Sequence, residues 1–308
     1  MGTWQTVAPL APIAALPNRE HAIGPGVLIT RTPDWFREDA KFTRGNVGKL
    51  ATLESEVSLV CTFEADSYGD ADPTWKGSAP RSKQEAAIEA IHAAGVALWL
   101  ARPSGLHFEL MVTCEPVISG GASIWSAQPV QRMQPLRSYA AETLRPADLQ
   151  GADVIATSIR ALARPSAVWT AARFLSLALT EDPGVLWEIR FLHLWVAIEA
   201  LFGPEDRKDV QKSIAKRIAR FLNPKDDNQG RVAYSIAFKS YDWRSAAIHG
   251  ARLTGLTPAE AETLMQEAEG ILRTTLSKIL SDAAQVALFA SANRDVHLKA
   301  LASGFHPP

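Results

Sequence analysis

Two cysteines, Cys61 and Cys114, are all that the 308 residues contain. So few in so long a chain exclude a disulfide framework and favour a reducing compartment, so a cytoplasmic location is expected. The chain also lacks a surplus of either charge: 32 Lys and Arg stand against 33 Asp and Glu, for a formal net charge of −1. Bulk electrostatic attraction to nucleic acid is therefore excluded, and any such binding must come from a local basic patch. Long apolar runs are missing too. The most apolar stretch, Phe191 to Gly203, is interrupted by His193 and Glu199, so no membrane contact is expected. The apolar segment Val7 to Leu16 has no basic residue before it and is a poor match to a secretory signal.

Several chemical signatures are absent as well. The chain has no His-Glu-x-x-His, no paired cysteines, no glycine-rich phosphate loop and no Gly-x-Ser-x-Gly. His21, His92, His107, His193, His297 and His306 are scattered without metal-ligand spacing. Asp66, Asp70 and Asp72 lack the full spacing and closing glutamate of a calcium loop. No metal and no cofactor are expected.

What is present divides into two textures. Residues 1–145 read as a mixed α+β domain with a sensing or docking role. Pro9, Pro12, Pro17 and Pro25 argue against a helix in the first thirty residues. Strands are expected over 26–30, 57–63 and 106–113, where β-branched residues gather. Ser82-Lys83-Gln84-Glu85 reads as a capping box opening a helix to Leu100, and 116–146 reads as loop. From 146 to 292 helical periodicity takes over, with helices expected near 147–163, 167–179, 184–202, 207–223, 230–249 and 258–291. Pro165, Pro183, Pro204, Pro224 and Pro258 punctuate their ends, and residues 293–308 read as a tail. The expected fold is thus an α+β domain followed by an all-α bundle large enough to bury its own core.

One stretch of the bundle carries candidate chemistry: Tyr241-Asp242-Trp243-Arg244-Ser245-Ala246-Ala247-Ile248-His249-Gly250. Arg244 and His249 lie five residues apart, about 140° around an ideal helix and roughly 7.5 Å along it. They meet one ligand only if the helix tightens or ends at the histidine, and Gly250 is the residue type that ends helices. His249 would then enjoy the negative end of the helix dipole. The alternative is structural: Arg244 pairs with Asp242 or Glu199, and His249 caps the last carbonyls. Glu199, in a helix apolar nearly all round, either orients Arg244 or reaches water at the rim. Lys212, Lys216, Arg217 and Arg220 give the preceding helix a basic side, which either tracks an RNA backbone or is simply solvated.

Trp195-Val196-Ala197-Ile198-Glu199-Ala200-Leu201-Phe202, then Ser213-Ile214-Ala215-Lys216-Arg217-Ile218-Ala219, then Arg244-Ser245-Ala246-Ala247-Ile248-His249-Gly250 resemble the HEPN superfamily, most of all its Apea-like branch. The resemblance spans roughly residues 150 to 290. It implies a HEPN-type helical bundle that forms a homodimer. It further implies a metal-independent endoribonuclease of toxin–antitoxin or phage-defence systems, with RNA as substrate and an antitoxin protein as a further partner. His249 and Arg244 would be catalytic, with Ser245 and Glu199 in support. The chemistry suits them: imidazole titrates near neutrality, and a guanidinium grips phosphate oxygens. One histidine does not readily serve as base and acid at once, so a second copy would supply the other. The alternative within the family is a non-catalytic module that binds RNA, a nucleotide or an antitoxin partner.

Overall fold

The computed structural model describes residues 2–11, 20–36, 55–65, 79–103, 106–117, 121–129, 144–180, 187–206, 208–249 and 256–305. Asp66, Asp70, Asp72, Arg207 and Gly250 lie outside them. The chain forms two compact units, Met1–Arg160 and Ala161–Pro308. The first holds an antiparallel sheet with helices; the second is helical.

Six strands build the sheet: β1 (Gly2–Pro9), β2 (His21–Ala22), β3 (Val27–Arg31), β4 (Val57–Ala65), β5 (Leu110–Val117) and β6 (Gly121–Pro129). Their order is β2-β3-β4-β1-β5-β6. β1 is therefore central, antiparallel to both β4 and β5. Register puts Val7 beside Val60 and Val112, and these pack with Leu110, Phe36 and the flanking Trp35 on one face. The other face carries Thr6 beside Cys61 and Thr113. Helix α1 (Ala79–Ala101) covers that second face, where Gln84 donates to the Thr113 hydroxyl at 3.2 Å. Thr6 and Thr113 share a buried hydroxyl hydrogen bond of 2.9 Å, which satisfies two polar groups that water cannot reach.

Four expectations need correction here. The 116–146 stretch, where only loop was expected, contains β6, whereas the first thirty residues, where a helix was argued against, hold the central strand. The strand expected over 106–113 runs over Leu110–Val117, with His107 in an isolated bridge to Ala11. Helix α1 starts at Ala79, so Ser82 lies inside it and is not its N-cap. Finally, helix α2 (Pro146–Ala161) belongs to the first unit, so the division falls after Arg160 and not at 145. The reason is electrostatic. Asp148 takes two hydrogen bonds from the Arg145 guanidinium and one from Arg102 at the end of α1. The Arg145 side chain and backbone N–H, with Arg102, hold this buried carboxyl at about 2. Asp153 adds a 2.7 Å bond from the Gly24 N–H.

The second unit contains α3 (Ala167–Thr180), α4 (Trp187–Phe202), α5 (Val210–Leu222), α6 (Asp227–Ile248), α7 (Pro258–Leu280), α8 (Ala283–Ala290) and α9 (Arg294–Ser303). α4 is its core: Phe191, Leu194, Trp195, Ala197, Ile198, Leu201 and Phe202 are buried on one broad face, while Leu192, Val196 and Ala200 on the other side are half-buried. Phe202, Phe221 and Phe289 meet edge to face at one end. Thr257 and Glu260 form a capping box, with Pro258 in the first turn. The single helix expected over 258–291 is two, because the Asp282 carboxylate accepts from the Ala284 and Gln285 N–H groups and starts α8. The expected tail contains α9. It is tied down by Arg217, whose buried guanidinium pairs with Asp295 at 2.7 Å, and by Arg294, which donates to the Ala200 carbonyl. Burial works to raise the Asp295 carboxyl, but Arg217 outweighs it and holds the group below its usual value.

His92 of α1 packs its ring against Phe108 at 5.5 Å. Burial lowers its pKa from 6.5 to about 4, with the nearby Glu89 acting in the opposite sense. The unfolded chain therefore binds this proton more readily than the folded one. Stability should be intact above pH 6.5 and fall progressively toward pH 4, by roughly 3 kcal/mol at most from this residue. Urea denaturation across that range should show the loss, and His92→Leu should flatten its slope.

Candidate functional site

The candidate site is built where α6 crosses α4. Trp195 on α4 anchors the crossing: its indole N–H donates to the buried Ser240 hydroxyl at 3.0 Å. Its ring meets Tyr241 edge to face at 5.5 Å. One turn further along each helix, Arg244 Nη2 donates to Glu199 Oε2 at 2.5 Å. The Arg244 guanidinium also lies over the Tyr241 ring, 5.3 Å from its centroid. Spacing explains the grouping. Residues three and four apart share a helix face, so Tyr241 and Arg244 lie together on α6 as Trp195 and Glu199 do on α4.

Of the pairings open to Arg244 in the sequence, Glu199 is the one formed. Asp242 instead accepts from Gln211 of α5 at 2.8 Å. Both partners of the Arg244–Glu199 pair are only about a fifth exposed. The contact is single, not a two-pronged fork, and among the described residues Arg244 Nε and Glu199 Oε1 have no hydrogen-bond partner. Each therefore keeps bonding capacity in a place that water scarcely reaches. Burial pushes the Tyr241 phenol up, and the Glu199 carboxylate beside it pushes in the same direction against Arg244.

His249 is the C-cap of α6. Its backbone N–H bonds the Ser245 carbonyl at 3.2 Å, and its side chain is exposed. The helix thus ends at the histidine, and the ring stands at the end where helix carbonyls face outward. Ser245 is half-buried. No protein-family model, no curated protein and no solved structure matches the chain.

The four cations expected to hold RNA separate into two kinds. Lys212 is exposed and Lys216 half-buried on α5. Arg217 is removed from that set: it is 3% exposed, paired with Asp295, and donates to the Phe202 carbonyl. Arg220 is committed as well, bonding Asp227 and the Gly304 carbonyl and lying over the Phe305 ring. Their place in the amphipathic pattern did not reveal this, because an arginine stem covers apolar surface as readily as it reaches water. Among the described residues, no group of three or more His, Cys, Asp or Glu is placed to hold a metal ion. No helix among them is long and apolar enough to cross a membrane.

Sequence reasoning did not single out Tyr241, Trp195 or Ser240 as site residues. The available signal was the placement of Tyr241 and Ser240 three and four residues before Arg244. The Arg244–Glu199 contact is expected to couple the two residues by about 1–2 kcal/mol, between a surface pair and a buried charged hydrogen bond. A double-mutant cycle of Glu199→Gln and Arg244→Met, read by chemical denaturation, measures it; additive single effects would show the contact to be energetically idle.

Proposed function

We propose that this chain is a metal-independent endoribonuclease of the HEPN type, acting as a homodimer in which two copies of the Arg244–His249 segment share one RNA. The observation that carries the reading is a division of roles on α6. Arg244 is set by Glu199 and Tyr241, while His249 stands exposed at the end of the same helix. That arrangement, together with the sequence resemblance, suits phosphodiester cleavage by the neighbouring 2′-OH.

In the proposed reaction, His249 of one copy removes the 2′-OH proton and the oxygen attacks phosphorus. The second copy's imidazolium gives a proton to the departing 5′-oxygen, leaving a 2′,3′-cyclic phosphate and a 5′-hydroxyl. Arg244 would neutralise the extra charge on the phosphoryl oxygens, and Ser245 would position the phosphate. Lys212 and Lys216 remain the cations available to the RNA backbone. A toxin–antitoxin or phage-defence setting, a cytoplasmic location and an antitoxin partner belong to the same proposal.

A second reading rests on one specific observation. Glu199 already neutralises Arg244 at 2.5 Å. A guanidinium held this way can bind or brace without turning over substrate, which suits a non-catalytic module for RNA, a nucleotide or an antitoxin partner.

Labelled RNA incubated with the full chain in EDTA separates the two. Cleavage to cyclic-phosphate ends is expected, with His249→Ala lowering the rate by about 10²–10⁴-fold. The melting temperature should stay unchanged, because that side chain is exposed. RNA binding that Arg244→Ala weakens, without cleavage by the wild type, would instead establish the second reading.

A further inference from the structure

The first unit contains a cavity of about 380 Å³ that the ribonuclease reading does not use. Its size falls within the range of small-molecule sites. Its floor is the sheet face under α1, with Cys61 and Phe63 of β4. Ala86, Ala87 and Ala90 of α1 lie opposite, and their short side chains keep the helix from filling the space. The turn at Pro25 and Gly26 forms one wall. That turn is rigidly placed: Gly24 and Gly26 both take φ of 78°, and the Gly24 N–H is bonded to Asp153. Gly24 also lies so close to α2 that a Cβ there would sit 2.7 Å from the Ala156 methyl.

Among the described residues, two cations line this cavity, Lys83 from α1 and Arg160 from the end of α2, against one carboxylate, Glu64. Each cation donates to a backbone carbonyl, Lys83 to Glu64 and Arg160 to Ala86 at 3.4 Å. Neither bond neutralises charge, so the rim is net positive. Cys61 is a free thiol, 6% exposed, with no hydrogen bond among the described residues. Burial pushes that thiol up, with Arg160 opposing. It therefore stays a neutral, polarizable part of the floor and not a nucleophile at neutral pH.

The geometry points to a binding site for a small amphipathic anion, its apolar body over Cys61, Phe63 and the alanines and its carboxylate or phosphate between Lys83 and Arg160. The inference is independent of the chemistry at Arg244 and His249. It gives the first unit the sensing role expected from sequence, with a ligand class attached.

Isothermal titration of the full chain with octanoate, hexyl phosphate and octan-1-ol tests it. At least one of the two anions should bind, and bind at least tenfold tighter than the alcohol. Lys83→Gln and Arg160→Gln, both at exposed positions, should each weaken that anion by about tenfold. Ala90→Leu, which fills the cavity, should abolish binding. Tighter hexyl phosphate would identify a phosphate monoester head, and tighter octanoate a carboxylate. Equal binding of alcohol and anions, no binding of any probe at millimolar concentration, or unchanged affinity in both charge variants would overturn the proposal. Should Ala90→Leu unfold, the two glutamine variants decide the matter alone.

Discussion

Helix α4 carries a broad apolar face that must be buried, and the second unit is arranged to meet that demand. A helix whose apolar residues run from Phe191 to Phe202 with no continuous polar face cannot rest on a surface. Other helices of the unit pack on that face, and several polar groups it carries inward find partners among them. The Trp195 indole finds Ser240, Glu199 finds Arg244, and the Ala200 and Phe202 carbonyls at its end are taken by Arg294 and Arg217. An unpartnered polar group in this interior would cost about 1–3 kcal/mol. The candidate site is therefore a by-product of enclosure: where α6 closes over α4, the carboxylate that α4 cannot shed becomes the seat of an arginine.

The first unit solves a related problem with a sheet. β1 is covered on both faces, by α1 on one and by Trp35 and Phe36 on the other, and its polar residues survive only through local pairing. Gln5 accepts from the Trp35 indole at 3.0 Å and Thr6 bonds Thr113. Where α1 carries alanine in place of a large residue, the covering is incomplete, and the space above Cys61 is the result.

These burial demands explain what could be read from the sequence. The helices of the second unit announce themselves by period and by the prolines between them, and α4 by its apolar content. β1 does not, because a strand buried on both faces by pairing threonine and glutamine shows no alternation. β6, where small and polar residues surround Ile124 and Trp125 and the strand ends at Pro129, gives no stronger signal. α9 is short, and Asp295 gains its meaning only from Arg217, 78 residues earlier. The same holds at the site. Arg244 and Glu199 are 45 residues apart, so the sequence nominates both but does not choose between Glu199 and Asp242; the crossing of two helices does.

That crossing divides the candidate site by origin. The position of Arg244 is decided when the unit folds, since Glu199, Tyr241 and Trp195 hold it from within. Among the described residues, only the end of α6 directs the exposed His249 ring. Half of the constellation is thus inherited from the core and half is left to whatever arrives at the surface. Variation in the core and variation in the partner would consequently alter the site along separate axes.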